Sequence, residues 1–233
     1  MTKTKLLAVG TNAKTVKGDK ASEYLTAIMY LSPHRQNERG TNLCPKASDG
    51  CVNACLYTAG RGKFTNVQNA RKRKADWFVS DRAAFLEQLH RELLDFSRYA
   101  RLRGKKPAVR LNGTSDILWE NLVDMTLYPE IQFYDYTKYL PIQRKKIADN
   151  YHLTFSRSET DSDGRIKNIL EGERNVAVVF NSDTLPKTYL GREVVDGDKT
   201  DLRFLDKKGG VVVGLTAKGE AKKDDSGFVI HLE

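Results

Sequence analysis

Cysteine is nearly absent. The chain has three, and all fall within one twelve-residue stretch, CPKASDGCVNAC, from Cys44 to Cys55. An odd number confined to one loop argues against a disulfide framework and for metal ligation or redox chemistry. Proline is scarce, at six residues, and there is no low-complexity tract or Pro/Ser-rich linker, which sets aside collagenous and disordered classes. No apolar run approaches the roughly 18 residues of a membrane span. The opening MTKTKLLAVGTNAK has neither the long apolar core nor the cleavage site of a secretory leader, so a cytoplasmic location is expected. The phosphate-binding G-x-x-x-x-G-K-[ST] loop, the G-x-G-x-x-G turn, H-E-x-x-H and G-x-S-x-G are also missing, which removes the commonest nucleotide, zinc-protease and serine-hydrolase signatures.

What is present reads as one α/β domain over residues 1–233, with part of the polar, Lys/Thr-rich segment 1–20 a loose N-terminal arm. The 233 residues are 39% hydrophobic, enough for a packed core. The net charge is +9, and it is concentrated. From Arg61 to Lys106 there are 13 Lys/Arg against 5 Asp/Glu, so this basic 61–106 segment is a candidate surface for nucleic acid or a nucleotide. Solvated outer helix faces would give the same composition.

Glu23–Pro33, EYLTAIMYLSP, reads as a buried strand closed by its proline, and the cysteine loop follows. Two helices come next, one over Asn66–Phe78 and one opening at Ser80 as N-cap, with Phe85, Leu86, Leu89, Leu93 and Phe96 at helical spacing and Gly104 as its stop. Strands are expected at Ala108–Asp116, Ile131–Lys138, Tyr151–Glu159, Val176–Phe180 and Gly210–Leu215, with helical connections that include LPIQRKKIADN and RIKNILEGE. This alternation predicts a parallel sheet, either a partial (βα)6-like barrel or a curled sheet, with the Cys-rich loop after the first strand. In such folds the site gathers at the carboxyl ends of the strands. Those ends carry Asn112 to Asp116, Asp135 to Lys138, Thr154 to Ser158, Asn181 to Asp183 and Thr216 to Lys218.

Three thiolates without a fourth suit a [4Fe-4S] cluster with one iron left open for a cofactor or substrate, with Cys44, Cys51 and Cys55 as the ligands. Zinc is the alternative, with His34 completing a Cys3His set. Three buried thiols without metal are the plain alternative. Asp116 and Asp135 are candidate catalytic acids or bases, and Arg61, Lys138 and Lys218 are candidates for holding a substrate or phosphate. Asp196, Asp198 and Asp201 read as a turn whose carboxylates bind backbone or Arg203, in preference to a calcium loop. Tyr134, Tyr136 and Tyr139 read as half core and half surface.

The stretches LCPKASDGCVNACLYTAGRG, ARKRKADWF, VRLNGTSD, YDYTK, TFSRSE and VVDGDKTDLRFLDKKGGVVVGLTAKG resemble the bacteriophage gene product 88 family, over about Tyr24 to Lys218. That resemblance implies a phage protein working in the host cytoplasm. A more distant likeness is to the radical S-adenosylmethionine partial-barrel enzymes. It implies that Cys44, Cys51 and Cys55 hold the cluster, that Asn112, Gly113, Thr114 and Ser115 bind the cofactor's amino group, and that Thr154 and Ser156 add a contact from the fourth strand. The spacing here is C-x6-C-x3-C, whereas that superfamily uses C-x3-C-x2-C.

Two functions follow as expectations. One is an iron-sulfur enzyme of radical-adenosylmethionine type, acting on a nucleotide, nucleic acid or other phosphorylated substrate. The other is a non-catalytic phage module that binds nucleic acid or a host protein, its Cys loop tied by zinc or a structural cluster.

Overall fold

The computed structural model describes residues 4–10, 13–144 and 147–232. These fall into two compact units. The first takes the described residues of Met1–Pro45, Phe64–Asp135 and Lys146–His152, and the second those of Lys46–Lys63, Tyr136–Lys145 and Leu153–Glu233. The fold is mixed α/β. Its ten strands, among the described residues, run in the order β1-β2-β3-β4-β5-β6-β9-β8-β7 with β10 beside β6, mostly parallel and with no closing pair.

In the first unit β1 (Leu7–Val9) lies antiparallel to β2 (Tyr24–Met29), which pairs in parallel with β3 (Lys106–Arg110), itself parallel to β4 (Gln132–Thr137). The opening segment therefore supplies an edge strand and α1 (Ala13–Ala21), where a partly loose arm was expected. Its anchor is hydrophobic and ionic together. Leu6 and Leu7 are buried, and the Glu92 carboxylate accepts both of their backbone N–H groups at 2.7–3.0 Å. No local pattern announces that contact, because the partners are 86 residues apart.

The helices α3 (Thr65–Ser80) and α4 (Arg82–Arg101) form where the apolar spacing places them. Phe85, Leu89, Leu93, Phe96 and Ala100 make the buried stripe of α4. One detail is corrected: the N-cap is Asp81, whose carboxylate accepts the Ala84 N–H at 3.1 Å, and Ser80 belongs to the last turn of α3. Asp81 suits a cap at a helix start because it is both an acceptor and an anion. Trp77 and Phe78 close edge-on against Phe85, centroids 5.3 and 5.2 Å away.

The second unit is built on β5 (Tyr151–Ser156, its later residues), β6 (Val176–Phe180), β9 (Val212–Thr216) and β8 (Arg192–Asp196), all parallel in that order, with β7 (Thr188–Tyr189) antiparallel on β8. The short β10 (Val229–Ile230) pairs with Val179 and Phe180 just beyond the point where β5 pairs with Val176 and Ala177. The two segments share one edge of β6. Ile166, Ile169 and Leu170 of α5 (Asp163–Glu171) pack on Phe155, Val176, Val178, Phe180 and Val212. Gly210, at φ +73°, is where the chain entering β9 meets α5. A Cβ there would sit 1.8 Å from the Leu170 carbonyl oxygen, so only glycine fits. The expected helix LPIQRKKIADN is a single 3₁₀ turn, Pro141–Gln143. Arg144 ends it by folding back to donate to Thr137 Oγ1 at 3.0 Å, with the guanidinium buried; residues 145 and 146 lie outside the described residues. No helix among the described residues is long and apolar enough to cross a membrane.

Candidate functional site

In the first unit the turn after β3 is organised by one side chain. Asn112 Oδ1 accepts from Ser115 Oγ, Ile117 N–H and Trp119 Nε1 at 2.9–3.0 Å, and its Nδ2 donates to the Ile117 carbonyl at 2.9 Å. The Asn112 backbone N–H donates to Asp135 Oδ1 at 2.7 Å, and Tyr151 OH donates to Asp135 Oδ2 at 2.9 Å. Asp135 is fully buried, and Asn112, Ser115 and Asp116 nearly so. Burial without these partners would cost each polar group about 1–3 kcal/mol. This network therefore holds the turn in one conformation. Of the expected strand-end residues, Asn112, Ser115 and Asp135 come together here, bonded to one another and to Ile117, Trp119 and Tyr151.

Thr114 Oγ1 donates to the Leu31 carbonyl, and Gly113 N–H to Met29. Cys44 joins the same turn: its thiol lies 3.7 Å from the Thr114 carbonyl, and its sulfur accepts the His34 backbone N–H at 3.4 Å. His34 meets Cys44 through its backbone, at a left-handed φ of 49°.

In the second unit Cys51 lies in the single-turn helix α2 (Asp49–Asn53), capped by Ser48, and Cys55 starts the 3₁₀ turn after it. Cys51 packs on the apolar cluster of Ala54, Ala217, Ala221, Phe228 and Val229. Glu159, which the sequence pattern did not single out, holds this loop. It accepts from Ser48 Oγ at 2.6 Å and from the Gly50 N–H at 2.8 Å. Burial alone would raise its pKa, but these hydrogen bonds, with Lys138 nearby, hold it below the usual carboxylate value. A Cβ on Gly50 would come within 2.3 Å of Ser226 Oγ and 2.8 Å of Phe228 Cβ.

The other second-unit candidates are engaged in a similar way. Lys138 Nζ donates to the Ser156 and Arg157 carbonyls at 3.2 and 3.1 Å, reaches Ser156 Oγ at 3.4 Å, and lies 4.9 Å above the Phe228 ring. Thr154 is fully buried. Lys218 pairs with Asp198, which also accepts from the Thr216 N–H at 2.9 Å and from its hydroxyl. Those bonds outweigh burial and lower the Asp198 pKa. Asp196 accepts the Asp198 N–H at 2.8 Å, and buried Arg203 pairs with Asp206 at 3.3 Å. The acidic segment is thus a turn whose carboxylates bind backbone, the Thr216 hydroxyl and Lys218, while Arg203 pairs with Asp206 outside it. Arg61 is exposed.

All three cysteines are half-buried. Among the described residues, no three His, Cys, Asp or Glu side chains are grouped so that they could hold a metal ion.

The basic segment divides in two. Lys74 is buried and donates to the Leu6 carbonyl, Arg71 and Arg82 lie over Tyr30 and Phe78, and Arg103 lies over Tyr99. Arg91, Arg101 and Lys106 pair with Glu87, Glu130 and Glu23, while Lys105 donates to carbonyls. Within the first unit this leaves Lys72, Arg73 and Arg98 exposed, with no ion pair among the described residues. Arg35 and Arg39, overlooked because they precede the dense basic run, are exposed on the loop that reaches α3, where the Glu38 N–H donates to Asp76 Oδ1 at 2.7 Å.

The family model for gene product 88 matches residues 4–232. Neither the curated proteins nor the solved structures give a match.

Proposed function

The chain belongs to the gene product 88 family, and on that premise we propose that it is a phage protein that binds nucleic acid without catalysis, in the host cytoplasm, through the outer face of α3 and the loop that crosses it. One observation carries this reading. Lys72 and Arg73 stand side by side and exposed on α3, and the loop tied to Asp76 brings Arg35 and Arg39 to the same helix. Cations that are not occupied by local carboxylates or carbonyls can displace the counterions of a phosphate backbone. Asp135, Asn112 and Ser115 favour this reading over turnover, since the hydrogen bonds of these three are made within the fold.

The test is fluorescence anisotropy of labelled DNA between about 50 and 200 mM salt. Affinity should fall log-linearly with salt, and K72Q/R73Q should flatten the slope by about 2. Binding that ignores salt, or no binding at low salt, overturns the reading.

The competing proposal is an iron-sulfur enzyme of radical-adenosylmethionine type, with its partial barrel, and with zinc as the alternative metal. A single contact favours it: Cys44 sulfur accepting a backbone N–H, the kind of bond that tunes cluster ligands.

A further inference from the structure

We propose that the strand bound on α3 is single-stranded, with an unpaired base stacked on Phe64. This rests on the nucleic-acid reading and goes further in naming the class of ligand. Phe64 is the N-cap residue of α3; it makes no side-chain cap hydrogen bond and is 51% exposed. No ring–ring or cation–ring contact among the described residues includes it. A phenylalanine ring in water has no polar group to justify its exposure, and a nucleobase can cover it face to face.

The helix beyond the ring carries an exposed polar face. Thr65, Asn66, Asn69, Lys72 and Arg73 are all exposed, while Lys74, Ala75 and Phe78 are buried on the other side of the helix. At 1.5 Å per residue, Phe64 and Arg73 are about 14 Å apart along the axis. That separation is suited to a base stacked at one end and phosphates held at the other. The first turn of α3 carries no acidic residue, so nothing there repels the backbone. A duplex keeps its bases stacked inside and would offer Phe64 no partner; unpaired DNA or RNA would.

The experiment compares three labelled probes of one sequence, about 16 nucleotides long, as single-stranded DNA, single-stranded RNA and duplex DNA. Wild type, F64A, F64Y and K72Q/R73Q are each checked by circular dichroism. Either single strand, or both, should bind about tenfold more tightly than the duplex. F64A should lose about tenfold on the single strand and nothing on the duplex, and F64Y should keep wild-type affinity. K72Q/R73Q should weaken every probe. Equal binding of duplex and single strand, or an F64A variant indistinguishable from wild type, overturns base stacking and leaves nucleic-acid binding standing. Absence of salt-sensitive binding to all three probes overturns both.

Discussion

Lys74 and Glu92 grip the same residue from two helices: the Lys74 ammonium donates to the Leu6 carbonyl at 3.1 Å, and the Glu92 carboxylate accepts the Leu6 N–H at 2.9 Å. Both side chains are nine-tenths buried. Burial, only partly offset by Glu92 and reinforced by Arg71, lowers the Lys74 pKa from 10.5 to about 8.

That shift sets a pH dependence. Between about 8 and 10.5 the unfolded chain holds the Lys74 proton and the folded chain does not, so folding stability contributed by this group rises with pH across that window. Urea unfolding of wild type and K74M, compared at pH 7.5 and 10 (~2.5 units apart), should show the rise in wild type only. K74M should also be less stable at neutral pH, by about 1–3 kcal/mol, because it leaves the buried Leu6 carbonyl without its Lys74 donor. A flat wild-type profile relative to K74M would count against the buried ammonium.

Replacing Asn112 by Ala strands Ile117 N–H and Trp119 Nε1, both now bonded to its side chain. At about 1–3 kcal/mol for each orphaned donor, N112A should lose roughly 3 kcal/mol or more in urea unfolding, and Trp119 emission should change. A loss within ~0.5 kcal/mol, typical of surface sites, would mean that the turn is held by something else.

Glu159 makes the cysteine loop acid-sensitive. Its folded pKa lies below the ordinary 4.5, so its stabilising contribution is complete above that value and is lost as pH falls through the folded one. The stability difference between wild type and E159Q should therefore shrink on acidification below about 4.5. G50A should destabilise the same loop at every pH by about 1–3 kcal/mol, since its methyl meets Phe228 Cβ. If G50A matches wild type, the packing described for Gly50 is wrong.

The two functional proposals part over metal. Protein purified without oxygen should carry well under one zinc per chain and no stoichiometric iron or sulfide, and C51A should bind DNA as wild type does. About four irons and four sulfides per chain, lost in C51A, would replace the binding module with the cluster enzyme.

The helices α3 and α4 and the strands β2 to β6 and β9 were legible in the chain because their signals are local: a 3.6-residue apolar period, short β-branched runs, and a glycine after the last turn. Even the error at the α4 cap is a one-residue choice between two good acceptors, Ser80 and Asp81, decided by which one reaches Ala84. Strands β1, β7, β8 and β10 were missed, since two- and three-residue pairings and the half-exposed REVVD run carry little periodicity. The chemistry of the strand ends was not legible at all. Polar residues at the end of a strand look the same whether they face a ligand or one another, and partners such as Asn112 with Asp135 and Ser48 with Glu159 stand 23 and 111 residues apart. The basic run was equally ambiguous. Composition determined that the segment is cationic; only the tertiary structure decided that Lys74 is buried, that most of its neighbours are paired or stacked, and that Lys72 and Arg73 remain free to meet a phosphate. Periodicity is a property of neighbouring residues, whereas the availability of a charge depends on what the rest of the fold places beside it.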